Sequence, residues 1–183
     1  MIPSQDQAKA LWEKYQLPEK KRTHVTLVAR VAVFLARKYK EKVPQCAIHR
    51  ELLLAAALLH DIDKNVPKLP GERHPDACVR ILNEEGMGEV ARAVAAHPLH
   101  VIIDPALKPK TIEEKLLFLA DKMVKYGIIT VDERFHLWRN ENLAPEVRDL
   151  IERCYPSVKA LEKEIFTVID IAPEDVSKLA QSG

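Results

Sequence analysis

The sequence predicts an all-α protein, a compact single-domain helical bundle built around one central buried helix. Apolar residues recur at three- or four-residue spacing, only five glycines interrupt the 183 residues, and no segment shows the short alternating strands of a β-protein. A chain of this length usually buries one core. We therefore expect a single domain over residues 1–183, with its core at about 21–128 and C-terminal helices at about 144–183.

Composition and charge are those of a globular protein, with 47% apolar and 30% charged residues. Lysine plus arginine number 28 against 27 acidic residues, which offers no broad attraction for a nucleic-acid polymer or an anionic membrane. Three widely spaced cysteines, no secretory signal at the start and no apolar run near about 20 residues favour a reduced cytoplasmic protein. Oligomeric state stays open.

Local signals predict where several helices begin. Two capping boxes precede helical patterns, Ser4 with Gln7 and Thr111 with Glu114. Prolines suit the first turn of a helix, and three of them predict helix starts in the C-terminal region: Pro145, Pro156 and Pro173. Pro75 predicts another start, for a helix that runs to about Glu85, where Gly86 supplies a left-handed cap.

Two helices carry polar groups on or beside their apolar faces. From Lys21 to Tyr39 the apolar stripe extends back to His24, so this imidazole is expected to point inward. A second helix, about Cys46 to Asp61, is apolar nearly all round, which is typical of a central buried helix. It ends in His60 and Asp61.

A third helix places Asp121 on the same face as Leu117 and Phe118, because residues three and four apart are neighbours on a helix. A carboxylate in such apolar surroundings is costly to desolvate unless it is paired or binds a metal. Taken singly, a buried histidine is more often hydrogen-bonded than metal-bound, and an aspartate can cap the next element. Two imidazoles and two carboxylates facing one small core together favour a site for a divalent transition metal.

The pattern His…His-Asp…Asp resembles the HD-domain superfamily of metal-dependent phosphohydrolases, over about Thr23 to Tyr126. The segment from Ala57 to Lys64 is similar to the family's apolar-His-Asp-Ile-Gly-Lys motif, with Asp63 in the place of glycine. The resemblance implies an all-α fold of the HD type. It also implies four metal ligands, namely His24, His60, Asp61 and Asp121.

Two further histidines resemble the ligands of family members that hold a second metal. His74 precedes Pro75 as in the family's His-Pro helix start, and His97 closes a later helix before Pro98. The resemblance then implies one or two ions, with Asp61 bridging two. Iron or manganese is favoured, and magnesium, cobalt, nickel or zinc would also fit. The alternatives are a surface helix cap for His74 and a helix-dipole interaction for His97.

The activity that the resemblance implies is hydrolysis of a phosphoester by a metal-activated water, on a nucleotide or another small phosphorylated molecule. Asp61 and Lys64 are the predicted catalytic residues, and the ammonium of Lys64 would neutralise developing phosphate charge. The predicted substrate contacts are Lys64, Arg73, His100 and Lys125. A solvated loop position is the alternative for both Lys64 and His100, and His49 and His136 are expected to be solvated.

Three other functions stay open. One is a non-catalytic regulatory module that binds metal or nucleotide, and another is a diadenosine-polyphosphate hydrolase, although only thirteen positions separate Asp61 from His74. The third is a helical interaction protein with hydrogen-bonded core histidines. One branch of the superfamily cleaves cyclic dinucleotides and carries a Gly-Tyr-Pro signature, which does not follow His97 here. The sequence does not distinguish monoesterase from diesterase activity.

Overall fold

A computed structural model describes residues 1–180. Nine α-helices form this part of the chain: α1 (Gln5–Lys14), α2 (Glu19–Lys42), α3 (Arg50–Leu59), α4 (Asp76–Glu84), α5 (Gly88–Ala95), α6 (Ile112–Lys122), α7 (Val131–Asn140), α8 (Pro145–Ile169) and α9 (Val176–Leu179). Short 3-10 segments cover Ile62–Asn65, Leu99–Ile103 and Pro173–Asp175. Apart from one isolated bridge, these residues contain no β-structure, so the predicted all-α class is confirmed.

Helix α3 is the central element of the bundle. It packs against α1, α2, α5 and α6, and six of its ten residues are buried. The indole Nε1 of Trp12 donates a hydrogen bond to the carbonyl of Leu58 at 2.9 Å, which ties α1 to the end of α3. The helix is shorter than the sequence predicts. It begins at Arg50 rather than near Cys46, because the preceding His49 caps it by accepting from the Leu52 amide.

Helix α2 extends beyond its predicted limits at both ends and buries the predicted stripe, including Val28, Val31 and Leu35. It packs on α3, α6 and α8. Helix α8 thereby covers one side of the core. The single-domain organisation stays a prediction, and the last three positions of the predicted C-terminal region lie outside the described residues.

One predicted helix start is wrong. Pro145 begins α8 and Pro173 begins a 3-10 segment, but Pro156 lies inside the 25-residue helix α8. A proline removes one backbone hydrogen bond and usually ends or kinks a helix. Here buried residues on both sides of it, Ile151, Cys154, Val158 and Leu161, anchor one continuous apolar face.

Both predicted capping boxes form, and a third one joins Thr130 to Glu133 at the start of α7. Gly86 adopts a φ of +71° after α4, as its predicted left-handed cap requires. In the described part of the chain, no helix combines the length and apolar character that a bilayer span requires.

The buried leucines of α3 should dominate stability. Leu53 has no solvent exposure, so we expect Leu53→Ala to lower the free energy of unfolding by about 2–5 kcal/mol through lost burial and a cavity. Urea denaturation measures this loss. Leu107 is 55% exposed, and Leu107→Ala is the matched control, with an expected change within about 0.5 kcal/mol. Equal effects of the two substitutions would contradict a central role for α3.

Candidate metal centre

Helix ends bring the predicted ligands together. His60 caps the C-terminus of α3, and Asp61 follows it directly before the 3-10 segment. His97 follows the last turn of α5, and His74 lies just before α4, joined to Pro75 by a cis peptide bond. The rings form a chain, with centroid separations of 5.4 Å for His24–His60, 4.9 Å for His60–His97 and 4.8 Å for His97–His74.

Backbone carbonyls orient the two most buried imidazoles. Nδ1 of His60 lies 2.8 Å from the carbonyl oxygen of Ala57, and Nδ1 of His97 lies 2.5 Å from that of Val94. A carbonyl oxygen only accepts, so Nδ1 carries the proton in each ring and Nε2 of the neutral ring keeps its lone pair. Nε2 of His60 is buried without a hydrogen-bond partner among the described residues. This arrangement is the usual one for a metal-binding histidine.

The carboxylate of Asp63 orients His74 in the same way. Nδ1 of His74 lies 3.0 and 3.1 Å from the two carboxylate oxygens of Asp63, which is buried. Nε2 of His74 then faces Nε2 of His97 at 2.9 Å. If both rings donate through Nδ1, two lone pairs meet at this distance, and they repel each other unless a proton or a cation lies between them.

Two lysines compensate the buried charge of Asp61. Nζ of Lys21 lies 2.8 Å from Oδ2, and Nζ of Lys64 lies 3.1 Å from Oδ1. Burial alone would raise the pKa of Asp61, but His60, Lys64 and Lys21 together lower it far below its usual range. Asp61 therefore stays ionised, as a metal ligand must.

Asp121 is held between a histidine and a buried lysine. Its Oδ1 lies 3.0 Å from Nε2 of His24, and its Oδ2 lies 2.6 Å from Nζ of Lys122. The same ammonium donates to the carbonyl of His97 at 2.7 Å. Burial acts to raise the pKa of Asp121, but Lys122, His24 and His60 hold it well below its usual value. Lys122 thus neutralises Asp121 and fixes its position relative to His97.

The pKa values of the two buried imidazoles are shifted in opposite directions. Burial would lower the pKa of His60, but the negative charges of Asp61 and Asp121 outweigh it and raise the pKa. Burial also acts on His97, where the neighbouring His60 adds to it and the pKa falls well below its usual value. His97 is therefore neutral at physiological pH and can offer a nitrogen lone pair to a metal, whereas the two carboxylates stabilise a positive charge at His60.

The donor set fits a divalent transition metal. Three groups of side chains bring one ligand atom each to within 4.8 Å of one another: His24 with His60 and Asp121, His60 with Asp61 and His97, and Asp61 with Asp63 and His74. Neutral imidazoles and carboxylates suit such ions, and shared members join the three groups into one centre. Nε2 of His60 has no hydrogen bond within the described residues and lies 3.6 Å from Oδ1 of Asp121, and the Nε2 atoms of His74 and His97 lie close together, so a cation at either position would relieve an unfavourable contact.

A cavity of about 750 Å³ opens onto this centre. The predicted substrate contacts Lys64, His100 and Lys125 line it, and Lys125 also pairs with Glu141 at 3.1 Å. Arg73 is exposed outside the cavity, and its backbone amide donates to Asp76. The structure therefore does not bring Arg73 to the site. His49 and His136 are exposed, away from the centre.

Five side chains at the site are not among the predicted site residues: Lys21, Asp63, Lys122, Arg134 and Trp138. Two of them left a local signal. Asp63 stands where the family motif has glycine, and Lys21 lies three residues before His24, on the same face of α2. Arg134 and Trp138 carry no motif, and only the packing of α7 shows that they reach the cavity.

Comparison with known families agrees with this geometry. The HD domain family matches residues 22–125, which is more than half of the chain, so the chain belongs to the HD domain family. HD domains bind divalent metals and are generally metal-dependent phosphohydrolases. Neither curated proteins nor solved structures yield a significant match.

Asp63 should tune metal affinity through His74. Asp63→Asn removes the charge that orients the imidazole, so we expect metal affinity to fall about 10- to 100-fold, as is typical when such a partner of a metal-binding histidine is lost. Competition with a fluorescent chelator measures the dissociation constant. Asp76→Asn is the matched control, because the Asp76 carboxylate bonds the Arg73 amide instead. Unchanged affinity in Asp63→Asn would show that the Asp63 charge does not support metal binding through His74.

Proposed function

We propose that this protein is a metal-dependent phosphohydrolase that acts on a nucleotide or another small phosphorylated molecule. The observation that carries the proposal is the convergence of four imidazoles and two carboxylates at the base of a cavity that is also lined by lysines. His24, His60, Asp61, His74, His97 and Asp121 would hold one or two divalent ions, with iron or manganese favoured. Asp63 would support His74.

A bound divalent ion lowers the pKa of its water from about 15.7 towards 7 and polarises a phosphoryl oxygen. The chain supplies the surroundings for that chemistry. Lys21 and Lys64 hold the Asp61 carboxylate from both oxygens, and Lys64 lines the cavity, so its ammonium can also attract the phosphate of a substrate. Lys122 keeps Asp121 ionised and fixed in place.

Loss of one central ligand should abolish turnover. His60→Ala removes the imidazole that is shared by two of the three ligand groups. Metal catalysis supplies several kcal/mol of transition-state stabilisation, so we expect kcat/KM for a phosphoester to fall more than about 100-fold. His136→Ala, at an exposed histidine outside the cavity, should retain full activity. The proposal would be refuted if the wild-type protein contained no metal and the His60→Ala variant were as active as the wild type.

Metal should also stabilise the fold and be present in a defined ratio. At a free metal concentration of about 100 times Kd, binding contributes about 2.7 kcal/mol, which corresponds to an increase of about 5 to 10 °C in Tm for a chain of this size. Thermal unfolding before and after chelation measures it. Elemental analysis near two ions per chain would support His74 and His97 as ligands, and a ratio near one would contradict the binuclear site. An unchanged Tm would favour hydrogen-bonded core histidines.

A non-catalytic regulatory module would use the same centre. The distinguishing result would be protein that contains metal and binds a nucleotide without hydrolysing any member of a broad phosphoester panel. Monoester and diester substrates belong in that panel, together with diadenosine polyphosphates.

A further inference from the structure

Helix α7 contributes two residues to the lining of the cavity. Its residues Arg134 and Trp138 line the cavity and lie one helical turn apart. The guanidinium carbon of Arg134 is 4.6 Å from the centroid of the Trp138 ring. The Phe135 and Trp138 rings pack in a T-shaped arrangement with their centroids 5.1 Å apart. Tyr126 lines the same cavity. These three cavity residues lie beyond the segment matched to the HD domain family.

Arg134 forms no ion pair with a carboxylate of residues 1–180. Its Nε and Nη1 atoms are buried, and neither has a hydrogen-bond partner among residues 1–180. The neighbouring carboxylates are already used, because Asp121 bonds Lys122 and Glu141 pairs with Lys125. An unpaired buried guanidinium is costly, and its planar donors match the oxygens of a phosphate or carboxylate. An anionic ligand would therefore supply the hydrogen-bond acceptors that the Arg134 guanidinium lacks.

Two aromatic rings stand beside that guanidinium. Trp138 is partly exposed, and Tyr126 is 88% exposed, which is unusual for a large aromatic side chain. Flat aromatic faces bind nucleobases by stacking, and such stacking tolerates any base. The cavity thus combines candidate metal ligands, a guanidinium with two unbonded donor atoms, and aromatic rings within about 750 Å³, a volume suited to a small molecule.

We propose that Arg134 and Trp138 form a nucleotide-recognition subsite, in which Arg134 binds an anionic oxygen of the phosphoryl group and Trp138, with Tyr126, stacks on the base. The inference rests on the proposed function and specifies its substrate class as a nucleotide. A sugar phosphate would satisfy the guanidinium but would offer no base to stack on either aromatic ring. The excess of cations also suits a phosphate, since six lysines and arginines line the cavity: Lys20, Lys21, Lys64, Lys122, Lys125 and Arg134.

Binding without turnover tests the subsite directly. Non-hydrolysable methylene-phosphonate analogues of the four nucleoside 5′-monophosphates and of ribose 5-phosphate would be titrated into the metal-loaded protein by calorimetry. Stacking on one aromatic residue should make at least one nucleotide analogue bind about 5- to 100-fold tighter than the ribose analogue. Equal affinity for every analogue would overturn the inference.

Substitutions at Trp138 separate stacking from packing. Trp138→Leu should remove the preference for the nucleotide analogue while changing the ribose analogue less than about twofold, and Trp138→Phe should keep part of the preference. The chain has two tryptophans, so fluorescence supplies a second measurement: quenching by the nucleotide should survive Trp12→Phe and vanish in Trp138→Leu. Equal weakening of both analogues by Trp138→Leu would indicate a structural role and overturn the inference.

Substitutions at Arg134 test the anion contact. Arg134→Met should weaken both analogues about 10- to 100-fold, because each loses a charge-assisted hydrogen bond, and Arg134→Lys should restore part of the affinity. Arg139→Met is the matched control, since Arg139 lies on the same helix, pairs with Glu152 at 2.7 Å and does not line the cavity. If Arg134→Met left both affinities unchanged in a folded protein, the anion contact would be refuted.

Hydrolysis measured on the same proteins distinguishes this inference from the proposed function. Turnover of phosphoesters without any preference for a base would overturn the nucleotide subsite and leave the phosphohydrolase in place. Base-dependent binding without turnover of any phosphoester would support the subsite and reject the hydrolase. Neither binding nor turnover would overturn both.

Discussion

The cost of burying two carboxylates shapes the centre of this bundle. Asp61 and Asp121 lie beside a largely apolar core, and an ionised carboxylate is stable there only with counter-charges and hydrogen-bond donors around it. The protein supplies ammonium groups from three elements. Lys21 comes from α2, Lys64 from the 3-10 segment after α3, and Lys122 from the end of α6. The Lys21–Asp61 pair joins α2 to the end of α3, and the contact between His24 and Asp121 joins α2 to α6.

Asp63 changes the family motif in a way that has a physical use. Glycine at this position would leave Nδ1 of His74 without a carboxylate partner. Asp63 instead orients the imidazole, so that its Nε2 meets Nε2 of His97. Backbone carbonyls orient His60 and His97 in the same way, so the rings of His60, His74 and His97 all carry a proton on Nδ1. The result is a centre whose donors are arranged before a metal arrives.

Helix α7 lies beyond the segment matched to the HD domain family. The matched segment ends at residue 125, and the chain then turns through Tyr126 into a helix that contributes Arg134 and Trp138 to the cavity. The six candidate metal ligands lie within the matched segment, whereas the proposed base contacts Tyr126 and Trp138 lie beyond it. Such a division allows the chemistry to stay constant while the recognised molecule changes, since specificity depends on the groups that line a site rather than on the fold.

The sequence by itself determined the all-α class, the buried α3, the capping boxes and the inward face of His24, because these depend on spacing within a few residues. It misjudged Pro156, since tertiary burial of α8 outweighs the local cost of a proline within a helix. Only the tertiary structure decided that Asp63 contacts His74 and that Lys122 reaches the carbonyl of His97. Those contacts join residues 11 and 25 positions apart, and their geometry depends on how separate helices pack rather than on local periodicity.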